Sequence, residues 1–282
     1  MSYLVIPRIR VQNANAQPAW WMIAPPPMTA YAGFSHALAL ALGWSKCAGF
    51  GVVHHDIQFL GEFEGEKGLF LPHQFRAASF IDKGDYSSKN QYALSNQPTA
   101  RCHLSVSLII KKDEEDAVDL ESAFPRFMRG ARLAGGAIVD HGKASLQDGM
   151  EAVIKFLNTG YAIHERQDLM VMQDGERDML DVVLRLTDPQ LRFDAANKPK
   201  SAGSEKPDDS EGDSHSWLMP TALGYLAITK FQNRKNVRGG LPHAFAEPLV
   251  GMVQYQSLRR AGIPIWKAAN PDAQTFLVTT SN

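Results

Sequence analysis

The stretch "YLVIPRIRVQNANA", residues 3–16, decides how the fold is read. Side chains of a strand alternate between faces, so Tyr3, Val5, Pro7, Ile9 and Val11 are expected on one side and Arg8, Arg10 and Gln12 on the other. The first face can cover a core; the second cannot. Asn13 and Asn15 follow, amides able to bond two edges of an unpaired base or to cap the next turn. "RCHLSVSLII" (101–110) repeats the division, with Leu104, Val106, Leu108 and Ile110 opposite Arg101, His103, Ser105 and Ser107. Together the two strands predict a sheet with one covered face and one open, polar face.

Outward from these strands the order of elements follows. After three prolines at 25–27, "MTAYAGFSHALALALG" reads as a helix of strong formers ending at Gly43, apolar nearly all round and therefore expected to be buried on more than one side. "GFGVVHHDIQFLG" (49–61) is a second strand, and 62–99 a long insertion, a hairpin being one possibility for it. A helix is expected over 116–133, restarting at Pro125, then a glycine-rich turn at Gly135 and Gly136 and a fourth strand. Strand, helix, strand, strand, helix, strand is the α+β, ferredoxin-like βαββαβ order, with both helices on one sheet face. Residues 1–143 would form this core. Residues 144–193 read as mainly helical, 194–216 as a disordered linker with almost nothing to bury, and 217–282 as a basic region with a helix near 247–261 and a strand near 274–280. The C-terminal elaboration is thus expected to be mainly helical.

Composition excludes several classes. The chain has 282 residues, 44% of them hydrophobic, enough for a sizeable core. No run approaches the ~18 apolar residues of a membrane span, and Pro7, Arg8 and Arg10 interrupt the first apolar run, unlike a signal peptide; a cytoplasmic location is expected. Cys47 and Cys102 have no metal-binding spacing, and His54 and His55, adjacent on a strand, should point to opposite faces, so neither a metal site nor a cofactor is expected. The net charge of −1 is no footprint for coating long nucleic acid, but its distribution is uneven. No acid precedes Asp56, and residues 217–270 hold seven Lys or Arg against one acid, Glu247. A local anion-binding surface is compatible with such segregation.

An open sheet face of Arg, His, Ser and Gln suits single-stranded RNA, although the stacking aromatics of an ordinary RNA-recognition motif are missing from it. Colinear blocks carry a more specific likeness. "LVIPRIRVQNANA" with "YAGFSHALALALG", "ARCHLSVSLII", "MRGARLAGGAI", and "WLMPTALGYLAI" with "RKNVRGG" together resemble the Cas5-type subunit, of the RAMP superfamily, of the type I-F CRISPR surveillance (Csy) complex. The resemblance implies a noncatalytic protein that grips the 5′ handle of the CRISPR RNA beside the large subunit and the first backbone subunit. Target DNA near the protospacer-adjacent motif is a further partner it allows.

The residues expected to touch RNA are Arg8, Arg10, Gln12, Asn13, Asn15, Arg101 and His103 on the strands, and Ser35 and His36, which interrupt the apolar helix. Arg129, Arg132, Gly135 and Gly136 form a loop in which glycines would let an RNA backbone approach main-chain N–H groups. Arg234, Lys235 and Arg238 form a second basic loop. Trp20 and Trp21 are expected to bury against the large subunit. Two rival readings are a metal-independent ribonuclease using His36, His54 or His103, and a scaffold without RNA contact.

Overall fold

The computed structural model describes residues 1–65, 68–78, 96–113, 118–188, 217–234 and 240–280. It is a strand-rich mixed α/β structure. In chain order its elements are β1 (Ser2–Asn15), α1 (Met28–Ala41), β2 (Phe50–Phe59), β3 (Gly61–Glu64), β4 (Leu69–Pro72), β5 (Gln74–Ala78), β6 (Asn96–Lys111) and α2 (Ala123–Gly130). There follow β7 (Arg132–Leu133), β8 (Gly136–Asp140), β9 (Ser145–Asp148), α3 (Met150–Leu157), β10 (Tyr161–Glu165), a 3₁₀ turn (Gln167–Leu169) and α4 (Met179–Thr187). The chain closes with β11 (Leu218–Ala227), β12 (Ala246–Ser257), β13 (Lys267–Ala269) and β14 (Thr275–Thr279).

Among the described residues, twelve strands form one antiparallel sheet, ordered β13-β14-β11-β12-β10-β2-β6-β1-β8-β7, with β5 added to β6 and β9 to β1. β3 and β4 form a separate hairpin within the insertion. The expected linker at 194–216 lies outside the described residues.

Two expectations about the second half are corrected. The stretch near 247–261 is a strand, β12, paired along both edges with β10 and β11. A helix is disfavoured there by the β-branched Val250 and Val253 and by Gly251, and within the strand Gly251 has no room for a side chain, since a Cβ would come within 2.6 Å of Gln167 Nε2 and of Leu223 Cδ1. The described part of 144–193, residues 144–188, is not mainly helical either: β9 and β10 join the sheet, beside the short helices α3 and α4 and a 3₁₀ turn. The C-terminal elaboration is therefore a sheet extension, not a helical one. Likewise, the helix expected over 116–133 is confined to Ala123–Gly130 among the described residues.

β1 does not keep one phase. Ile6 pairs with Leu108 but Ile9 with Val106, so one extra residue is accommodated at Pro7–Arg8, where Arg8 takes φ 49°. Before this bulge Leu4 and Ile6 face α1, while Tyr3 and Val5 face α3; after it Ile9 and Val11 face α1. The expected single face of Tyr3, Val5, Pro7, Ile9 and Val11 is thus divided between two cores. Four consecutive apolar residues, Tyr3 to Ile6, suit a strand covered on both sides.

α1 is buried along Met28, Tyr31, Ala32, Phe34, Ser35, Leu38 and Ala39 and exposed along Gly33, His36, Ala37 and Leu40. It is covered on one side only, and the apolar look of its sequence arises because the outer face carries Gly33, Ala37 and Leu40 rather than charges. Its end is a Schellman cap: Trp44 N–H donates to Ala39 O (2.9 Å) and Gly43 N–H to Leu40 O (3.0 Å), with Gly43 at φ 84°. Phe34 of α1 meets Phe127 of α2 edge-on, so both helices cover the same sheet face. α3 covers part of the other face, over Tyr3, Val5, Val53 and Ile109.

Ser107, buried on β6, stands beside a second bulge as well. His54 pairs with Val106 but Asp56 with Ser105, which leaves His55 as the extra residue of β2. Arg8 N–H donates to Ser107 Oγ (2.9 Å), and His55 Nε2 lies 2.7 Å from the same oxygen. A hydroxyl both accepts and donates, so one group completes both irregular strands. Ser107→Ala should leave a buried N–H and a ring nitrogen unpartnered and lower stability by about 1–3 kcal/mol in urea unfolding.

Candidate nucleic-acid interface

Beyond the first bulge the polar side chains of β1 and β6 lie on the face that α3 leaves uncovered. Arg10 sits directly opposite Ser105, and Asn15 opposite Arg101. A second bulge between Val11 and Ala14 places Asn13 at φ 56°, a left-handed conformation that asparagine tolerates better than most residues. The backbone freed at that bulge is held by the facing strand: Asn13 N–H donates to His103 Nδ1 (3.2 Å), and Arg101 Nη1 donates to Asn13 O (3.2 Å). Because Nδ1 accepts, the His103 ring carries its proton on Nε2 as a further donor. Arg101, His103, Asn13 and Arg10 thus form one strip.

The remaining expected residues divide into three groups. Arg8 and Gln12 adjoin the strip, Arg8 Nη2 donating to Thr159 Oγ1 (3.2 Å) and Gln12 lying exposed opposite Ala137. Arg10 meets Asp140 at 3.2 Å, a surface pair with both side chains more than half exposed and so worth little. The Asn15 amide is engaged locally, its oxygen accepting from Gln17 N–H (3.2 Å) and its nitrogen donating to Gln17 O (3.3 Å); this is the turn-forming role rather than a free reading edge.

At the glycine-rich turn, Ala134 (φ 49°) and Gly135 (φ 73°) join β7 to β8, consistent with a two-residue type I′ turn. Arg132 Nη1 donates to Gly135 O (3.3 Å), and a Cβ on Gly135 would meet only Arg101 Nη1, at 3.9 Å. That loop therefore borders the strip. Gly136 serves another purpose: a Cβ there would lie 2.6 Å from Val11 Cγ1 and 2.7 Å from Ala14 N and Gln12 O. The space expected for an RNA backbone is filled by β1.

Four other residues stand away from the strip. Ser35 is fully buried under α1 and His36 is exposed on that helix's outer side, both on the opposite sheet face, because α1 packs there. Arg129 lies in the last turn of α2, also in the helical layer. Arg234 places its guanidinium 4.6 Å from the Phe245 ring centroid, a cation–π contact. Lys235 and Arg238 lie outside the described residues.

His36, His54 and His103 do not converge. His54 is buried, hydrogen-bonded to Tyr31 Oη (2.8 Å) and edge-on to Tyr255. Burial, reinforced by His55, pushes its pKa down to about 3; burial and then the Arg8 charge push that of His55 down to about 4. As expected of adjacent strand residues, they have different partners, Tyr31 and Ser107. Among the described residues no three His, Cys, Asp or Glu are grouped to hold a metal. Cys47 and Cys102 are both free thiols. Among the described residues no helix is long and apolar enough to cross a membrane.

The sequence was silent on Thr159, Asp140 and the special place of Ser107. Ser107 had only its position in the polar half of an alternating strand as a signal. Thr159 and Asp140 are brought to the strip by pairings that no local pattern announces.

These features belong to a protein whose long antiparallel sheet displays a cationic, amide-bearing strip. The family model described as "CRISPR-associated protein (Cas_Csy2)" matches residues 4–264. The chain belongs to the Csy2 family, and so is a subunit of the type I-F CRISPR Csy complex. It is 24% identical over 297 aligned positions, covering 91% of this chain and 87% of the relative, to "CRISPR-associated protein Csy2" of Pseudomonas aeruginosa (strain UCBPP-PA14). Membership of that complex implies CRISPR RNA and other Csy subunits as partners.

Two outcomes are expected. Gly136→Val should lower stability by about 1–3 kcal/mol in thermal or urea unfolding, because the colliding atoms include β1 backbone. The depressed pKa of His54 means that the unfolded chain binds the extra proton first. Its contribution is complete above about pH 6.5 and is lost as pH falls toward about 3. Stability should drop by roughly 1 kcal/mol per pH unit in that window, and less steeply in His54→Gln, measured by urea unfolding at pH 7, 6 and 5.

Proposed function

We propose that this Csy2-family chain is the noncatalytic, Cas5-type subunit that holds the 5′ handle of the CRISPR RNA, and that the handle lies along the Arg10–Asn13–His103–Arg101 strip. The observation that carries the reading is the strip itself. It combines cations for phosphates with amide and imidazole groups for base edges, on a sheet face that no described helix covers at that end. The ferredoxin-like, RAMP-type core is supported by the antiparallel order β2-β6-β1-β8, with α1 following β1 and α2 following β6 on one face.

Trp20 and Trp21, 76% and 42% exposed, supply a large aromatic surface for docking the large subunit. The first backbone subunit would meet the chain elsewhere. Separation of the three candidate histidines argues against the ribonuclease reading, which needs two of them together.

The test is a titration of labelled repeat RNA over a salt series, in EDTA, with the full chain bound to its large subunit. Arg10→Ala and Arg101→Ala should each weaken binding at low salt and flatten the slope of log affinity against log salt by about 0.7, as loss of one phosphate contact on a single strand requires. The RNA should remain uncut. Variants that melt normally and keep the wild-type affinity and slope would remove the strip from the interface.

A further inference from the structure

Next to the strip the sheet divides. β10 pairs with β2 only at Tyr161 and Ala162, opposite His54 and Val53, whereas β2 continues beside β6 as far as Phe59. The wedge between the diverging strands is a cavity of about 280 Å³, with His55 and Ile57 on the β2 side and Tyr161, Trp217 and Tyr255 on the other. A second cavity of about 400 Å³ adjoins it across the same three aromatic residues and ends at Gln256 and Arg260. Both are comparable in size with sites for small molecules, roughly 300–1,000 Å³.

The walls are unusual for a merely structural seam. Trp217 is 65% exposed and Tyr161 44%, with ring centroids 6.1 Å apart and planes inclined by 30°. Trp217 also holds φ at 59°, where a bulky side chain is strained; Tyr255 N–H donates to Trp217 O (3.2 Å) and secures the backbone there. An exposed indole on a strained backbone adds little to stability. An aromatic face, an amide at Gln256 and an exposed guanidinium at Arg260 instead match the three parts of a nucleotide: base plane, base edge and phosphate.

The cleft sits at the gap between β2 and β10: Tyr161, paired with His54, and Tyr255, edge-on to His54, are on the α1 side of the sheet, and His55 is on the side of the strip. His55 lines the cleft, and the His55 ring shares the Ser107 hydroxyl with the Arg8 N–H. We propose that this cleft receives one unpaired nucleotide of the RNA, its base stacked on Trp217 and its phosphate beside Arg260. Because the Tyr161 and Trp217 rings already contact each other, the base lies on the outer face of Trp217 rather than between them. The inference rests on the RNA-binding reading above and supplies the stacking aromatic that the strip itself lacks.

The experiment uses the full chain bound to its large subunit and, as probe, a short single-stranded RNA of the repeat end with iodouridine placed at each position in turn. Trp217→Ala should weaken binding about 5- to 100-fold, the range for loss of one stacked base, with an unchanged salt slope. Trp217→Phe, which keeps a ring, should stay close to wild type. Arg260→Ala should flatten the slope by about 0.7. One probe position should photocrosslink to Trp217 or Tyr161. If wild type binds RNA while Trp217→Ala and Arg260→Ala match it and crosslinks fall elsewhere, the cleft is not a nucleotide site and the strip stands. If wild type binds no RNA at any salt, both readings fall. A Trp217→Ala protein that melts early is replaced by the Arg260→Ala and crosslinking results, which decide the matter alone.

Discussion

At the centre of the sheet the hydroxyl of Ser107 accepts the Arg8 N–H from one neighbouring strand and is bonded to the His55 ring from the other. Both neighbours carry an extra residue at this level, and an extra residue in a ladder frees main-chain groups that must find partners when buried. Without a partner there, the bulge in β1 would leave its N–H unsatisfied. Without that bulge Arg10 and Gln12 would point into the α1 core and Ile9 and Val11 toward solvent, because a one-residue slip exchanges the faces. The polar strip therefore depends on an interaction beneath it.

The two bulges of β1 divide the work along one strand. Residues before the first have cores on both sides, residues between the bulges have one core and one open face, and the second bulge turns the Asn13 backbone toward His103 and Arg101. Gly136 packs against that second bulge so closely that no side chain fits. Such rigidity suits the binding role proposed for the strip: polar groups on a fixed backbone need little reorganisation to meet a ligand.

Charge alone does not single out the strip proposed as the interface. The segment 230–238 is denser in cations than β1, yet Arg234 stacks on Phe245. At the strip, cations are fewer but are combined with amides and a histidine that accepts from the main chain. The cleft beyond His55 has aromatic surface from β10, from β12 and from Trp217 just before β11, which sequence order places far from β1.

Alternation in "RIRVQ" and "RCHLSVSLII" was enough to read two strands and one polar face, since a period of two is a local property. The Gly43 helix end was legible for the same reason. The helix assigned near 247–261 was misread because an apolar run with Val and Gly is decided by its neighbours: β12 has strands on both edges, and pairing overrides weak propensity. Gly135 and Gly136 were legible as a turn, but which of them presses on β1 was not. The bulge at Arg8, the Ser107 bond, and the meeting of Tyr161 with Trp217 depend on register between segments far apart in the chain. Thus the sequence by itself determined which residues could make a polar strand face, and the tertiary structure alone decided where that face begins and what adjoins it, because side-chain phase is set by pairing to a partner strand.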